Sequence, residues 1–144
     1  MAQKTLTGAC LCGKITYTID LPATELNPKV IICHCTSCKR YTGSGFSTNI
    51  IVPKSSLRYT SGIPKVFLDP TPDRGGECPR HFCGDCGSHF TSSPQDTPEM
   101  YAVKSGTLDE EHRKACGELA LEIYCKRKDA WVDSMADEQV RRLQ

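Results

Sequence analysis

The run Cys33-His34-Cys35-Thr36-Ser37-Cys38 places three thiols within six residues. In an extended chain, side chains at i and i+2 share a face. Cys33 and Cys35 therefore point one way and His34 the other, and a turn at Thr36-Ser37 brings Cys38 back toward them. Three thiolates with no local fourth partner suit a zinc ion that keeps one coordination position open, as catalytic zinc does. Such an ion lowers the pKa of a bound thiol or water and polarises a carbonyl oxygen. His81, His89 or Cys78 could close the set instead, which would make it structural. A second set comes from Cys10-Leu11-Cys12-Gly13 and Cys83-Gly84-Asp85-Cys86-Gly87. The glycine behind each pair tolerates the positive φ that a metal-binding knuckle needs. Together the two pairs supply four thiolates, the closed tetrahedral set of structural zinc, and tie together segments about 70 residues apart. Buried unligated thiols, disulfides and an iron–sulfur cluster are the alternatives. Paired spacing with trailing glycines favours zinc, and the spacing matches no common cluster run. A redox Cys-x-x-Cys at Cys83 would need a following helix, which Ser88–Thr91 does not supply. Cys78, Cys116 and Cys125 lack spacing partners and read as ordinary thiols.

The elements that must position these thiols are mostly short strands. Strands are expected over 4–9 and 14–20, flanking the first knuckle, with Ile15, Tyr17 and Ile19 alternating in the second. Further strands are expected over 30–33, 46–52, 65–68, 89–91, 100–104 and 119–125. A short helix over 36–41 with Thr36 as its cap, and another over 133–143 with Ser134 as its cap, are the only helical signals. Leu21–Lys29 and Asp69–Pro79 read as loops, the latter on its three prolines and the pair Gly75-Gly76. The expectation is a mainly β fold: several short antiparallel sheets with short helices, stabilised by zinc.

Composition narrows the function. The 144 residues suit one domain, 1–144, with a core over about 4–131. Ten cysteines without a recognisable secretory signal point to a reducing, cytoplasmic setting, where clustered cysteines bind metal. No apolar run is long enough to span a membrane. Formal charge is +1 from 18 basic and 17 acidic residues, and filling both thiolate sets with zinc would bring it to about −2. That balance argues against a nucleic-acid partner. No general acid or base stands out. His34, His81, His89 and Tyr41 are the nearby candidates, and each has an ordinary packing role as its alternative. Lys39, Arg40 and Arg80 could meet substrate carboxylates, although solvated surface charge is the commoner fate of such residues. Trp131 reads as a core residue.

The ordered motifs Gly8-x-Cys10-x-Cys12-Gly13, Cys33-His34-Cys35-x-x-Cys38, Phe82-Cys83-x-x-Cys86-Gly87 and Gly106-Thr107-Leu108-Asp109 resemble the glutathione-dependent formaldehyde-activating enzyme family, which also includes centromere protein V. The resemblance runs from about Gly8 to Trp131. It implies the small zinc-containing beta-tent fold, a structural zinc on Cys10, Cys12, Cys83 and Cys86, and a catalytic zinc on Cys33, Cys35 and Cys38. Arg40 and Gly43 fit family positions after the third cysteine of that trio, and Arg80 fits the basic position before Phe-Cys. The implied reaction is carbon–sulfur lyase chemistry: glutathione and formaldehyde joined as S-hydroxymethylglutathione, or the reverse. A non-catalytic zinc scaffold of the centromere protein V type is the competing implication. The loops 21–29 and 69–79 do not resemble a glutathione pocket.

Overall fold

The computed structural model describes residues 2–70, 75–133 and 135. It is mainly β. A three-stranded antiparallel sheet has the order β1 (Gln3–Ala9), β2 (Thr16–Pro22), β5 (Leu57–Ser61). A seven-stranded sheet has the order β10 (Leu119–Ile123), β3 (Val30–Cys33), β4 (Ser47–Pro53), β9 (Met100–Lys104), β8 (His89–Ser92), β7 (Cys78–Phe82), β6 (Lys65–Asp69). Among the described residues, two short helices, α1 (Thr36–Thr42) and α2 (Glu110–Ala115), and three 3₁₀ turns accompany the sheets.

The main core lies between the sheets. Leu6, Tyr17, Ile19 and Leu21 from the small sheet meet Ile50, Val52, Phe90 and Val103 from the large one. Tyr17, Tyr59 and Phe90 interlock edge to face, with ring centroids 5.7–6.5 Å apart, an arrangement that adds about 0.5–1.5 kcal/mol per pair beyond burial. Strand alternation then sends the intervening residues of the large sheet to its other face. Cross-strand pairs Ile31↔Asn49 and Asn49↔Lys104 form one row there, and Ile51↔Ala102, Ala102↔Ser92 and Ser92↔Arg80 another. That second face carries the cysteine trio.

Several expectations change. The sheets are not all antiparallel: β10 lies parallel to β3, which the long connection through α2 permits. The cap of α1 is Cys35 rather than Thr36; its Sγ accepts from the Cys38 backbone N–H at 3.3 Å. Part of the expected 69–79 loop is strand β7, where Pro79 sits second and gives up one ladder donor. Strand β5 and helix α2 were not expected, although Asp109 as N-cap, Glu110 and Glu111 in the first turn and basic residues in the last are helix signals. The helix expected over 133–143 falls largely outside the described residues. Trp131 is 73% exposed and lies against Gly45, not in the core.

Candidate metal centres and the cavity beside them

The two knuckles meet. The Sγ atoms of Cys10, Cys12, Cys83 and Cys86 all lie within 4.8 Å of one another. Cys10–Cys12 and Cys12–Cys83 sulfurs are 3.5 and 3.8 Å apart. Sulfurs at ~2.3 Å from a tetrahedral zinc stand about 3.8 Å from each other, so this donor set fits zinc and not a disulfide. Gly13 and Gly87 adopt φ +77° and +78°, and their N–H groups close the turns on the Cys10 and Cys83 carbonyls at 3.0 and 2.8 Å. Ser88 stitches the knuckles together: its Oγ accepts from the Leu11 N–H at 2.9 Å and stands 3.3 Å from the Cys86 sulfur. Hydrogen bonds from Ser88 bring the Cys86 thiol down to about 5.

Cys33, Cys35 and Cys38 form the second group, all buried and within 4.8 Å of one another. Strand β3 delivers Cys33, the cap position delivers Cys35, and the first turn of α1 delivers Cys38. Hydrogen bonds from Cys33 and Cys35 hold the Cys38 thiol far below its ordinary value. Neither His81, His89 nor Cys78 joins the trio. His81 Nδ1 pairs with Thr91 Oγ1 at 3.0 Å, and the His89 ring stacks on Tyr41 at 3.9 Å. Cys78 lines the same cavity but stands apart from the group. The trio therefore fits zinc with an open position.

The trio lines a cavity of about 410 Å³ together with Asn49, Ser92 and Arg80, and with apolar side chains including Ile31 and Ile51. None of the four knuckle cysteines lines it. None of His34, His81, His89 and Tyr41 lines it either. His34 points to the opposite face, as its alternation requires, and Nε2 pairs with Glu122 Oε2 at 2.7 Å with both side chains fully buried. With Cys125 they make a third compact group that the sequence did not suggest. Tyr124 lines the cavity from a left-handed backbone (φ 56°), a conformation rare for a bulky residue, and packs on the trio.

Two cations are buried at this face, both missed or undervalued in sequence. Arg80 is 4% exposed; its Nε donates to Asp69 Oδ2 at 3.1 Å, and its guanidinium lies 4.9 Å from the Tyr41 ring centroid. Burial works to lower its pKa, but the charges on Cys38, Cys78 and Asp69 outweigh that and raise it. Lys104 is 6% exposed and donates to Asn49 Oδ1 at 2.6 Å and Ser92 Oγ at 3.1 Å. Burial depresses its pKa, and the nearby Cys38 charge opposes the shift. Lys39 pairs instead with Asp129 at 2.8 Å, and Arg40 is exposed.

A family model for the glutathione-dependent formaldehyde-activating enzyme matches residues 5–127. The chain belongs to this family. Both thiol groups, the cavity and the two buried cations lie inside the matched span. No curated protein sequence matches the chain. Among solved structures, a Rhodobacter sphaeroides protein is 22% identical, with a TM-score of 0.58 over 78% of this chain and 96% of that one. That similarity shows a shared fold. Among the described residues, no helix is long and apolar enough to cross a membrane.

Proposed function

We propose that this family member makes or breaks a carbon–sulfur bond in the adduct of a thiol with an aldehyde, the glutathione–formaldehyde adduct being the first to try. Cys33, Cys35 and Cys38 hold the catalytic zinc in this reading, and Cys10, Cys12, Cys83 and Cys86 hold a structural one. The observation that carries it is the asymmetry between the groups: the trio opens onto the 410 Å³ cavity, and the quartet does not. A closed set of four suits structure, and a set of three beside a cavity suits chemistry. Bound at the trio, zinc would keep a sulfur as thiolate near neutral pH or polarise a carbonyl oxygen.

The chain's own residues do the rest. In the forward direction the thiol sulfur bonds to the carbonyl carbon, the C=O π bond opens, and the thiol proton ends on the new hydroxyl oxygen. Nothing is oxidised or reduced. The apolar walls formed by Ile31 and Ile51 exclude water from the reacting sulfur, and Lys104 offsets negative charge gathered on the trio. The formal charge of about −2 with both sites filled supports a small-molecule partner over nucleic acid. Residues of about 4–131 act as a single domain in this reading.

The test follows exchange between S-hydroxymethylglutathione and its components by NMR, with Cys35→Ser as control, and then extends to other thiol–aldehyde pairs. Zinc-dependent acceleration over the control is the expected result. Exchange no faster than the control across the panel would overturn the enzymatic reading and favour a zinc scaffold.

A further inference from the structure

The cavity beside the trio has a second polar end that the metal chemistry leaves unused. Arg80 is buried, its Nε is committed to Asp69, and its Nη1 has no hydrogen-bond partner. A buried guanidinium donor left unpaired is costly, and this one belongs to a residue that lines the cavity. Directly across the β7–β8 ladder from Arg80 stands Ser92, which lines the same cavity. Its Oγ accepts from Lys104 Nζ, so its own hydrogen remains to donate. An unpaired guanidinium N–H and a hydroxyl, on residues paired across adjacent strands, are two donors that one carboxylate could meet.

The buried charge nearest this end of the cavity is the Arg80–Asp69 pair; Glu122, also buried, pairs with His34 on the opposite face, and Lys104 answers the trio. Asp96 also lines the cavity, but it is exposed and screened by water. The distance is short too. Tyr41, whose ring lies under the Arg80 guanidinium, comes three residues after Cys38 on α1, and side chains three apart on a helix are neighbours. The lining also includes the apolar side chains Ile31, Ile51 and Ala102.

We propose that Arg80 and Ser92 anchor a substrate carboxylate, and that the thiol handled here is a compact mercapto acid with its sulfur at the trio and one carboxylate a few bonds away. This inference rests on the trio being the thiol-binding metal site. It separates such a thiol from glutathione, which carries two carboxylates where this anchor offers one guanidinium.

The test uses protein loaded with cobalt(II) in place of zinc, because a thiol reaching the metal then changes the sulfur-to-cobalt charge-transfer absorbance. The probes are 3-mercaptopropionate, its uncharged analogue 3-mercaptopropanol, and glutathione. In the wild type the acid should bind about 10–100-fold more tightly than the alcohol, the value of a charged hydrogen-bonded pair. Arg80→Gln alone leaves Asp69 buried without its partner and could unfold the strand, so Arg80→Gln with Asp69→Asn is the matched variant. It should lose the preference for the acid while binding the alcohol as the wild type does. Equal binding of acid and alcohol by the wild type would overturn the anchor and leave the thiol site standing. So would a preference that survives in the double variant, or glutathione binding more tightly than the short acid with no dependence on Arg80. If no thiol changes the spectrum, the thiol-binding reading of the trio falls and takes the anchor with it.

Discussion

Lys104 is the residue whose placement most constrains the second thiol group. A fully buried ammonium is costly unless charge nearby compensates it, and its hydrogen bonds to Asn49 and Ser92 are to neutral groups. The negative charge within reach belongs to the thiols of Cys38, Cys33 and Cys78. Three thiolates around a Zn²⁺ ion would carry one net negative charge, which Lys104 would match. Lys104→Met keeps the stem and removes the charge. It should weaken zinc retention at the trio by about 10–100-fold, the usual effect of losing a partner just outside the ligand shell. Chelator competition on the folded variant should release one zinc early and hold the other as in wild type. Two zinc ions released together at the wild-type rate would sink this role. The thiols were legible in the sequence because metal chemistry imposes its spacing within a few residues. Lys104 was not, and Arg80 was legible only as a basic residue that could meet a substrate carboxylate, since nothing local to either says that strand pairing will bury it. For Arg80 the signal was further masked by Pro79, which made β7 look like loop.

At the scale of elements, two contacts decide whether the strands meet correctly. The first is Gly8. A Cβ there would stand 2.4 Å from the Tyr17 ring and 2.5 Å from the Thr107 carbonyl oxygen. Tyr17 and Thr107 are themselves joined by a 2.8 Å hydrogen bond. This explains the pairing of the Gly8 motif with Gly106-Thr107-Leu108-Asp109, which in sequence was only a pattern. Gly8→Ala should cost about 1–3 kcal/mol, as overpacking does. Thermal melting should read a Tm several degrees lower with metal content unchanged. An unaltered Tm would show that β1 can shift freely. The second contact is His34–Glu122, which clamps β10 to the segment between Cys33 and Cys35. Glu122→Ala leaves His34 buried without its partner and should cost about 3–5 kcal/mol, while Glu122→Gln should recover much of it. Denaturant unfolding distinguishes them, and equal stability of the two variants would contradict the clamp. Alternation in the sequence placed His34 away from the trio, but its partner lies 88 residues on. No local signal reports such a distance. The parallel pairing of β10 with β3 was hidden for the same reason.

For the whole molecule, the two thiol groups lie apart: one at the edge of the main core, the other on the far face of the large sheet. Freshly purified protein should contain close to two zinc ions per chain by elemental analysis, and one per chain at full loading would refute the partition. Cys83→Ser removes a buried thiol from a group that joins distant segments, so it should lower Tm strongly. Cys35→Ser should leave a folded chain that retains one zinc. Equal destabilisation of both variants would remove the distinction between them. The quartet also sets a timetable. Cys12 and Cys83 are 71 residues apart, so at about 5–20 residues per second the ribosome delivers the second knuckle roughly 4–14 s after the first. During that interval Cys10 and Cys12 have each other but not the ligands that close their site. A nascent chain halted before Cys83 has a glycine-backed thiol pair with no tetrahedron to join, open to oxidation or to capture by a stray metal. The protein's vulnerability to oxidants and heavy metals should therefore be greatest while it is being made and fall once the second knuckle arrives.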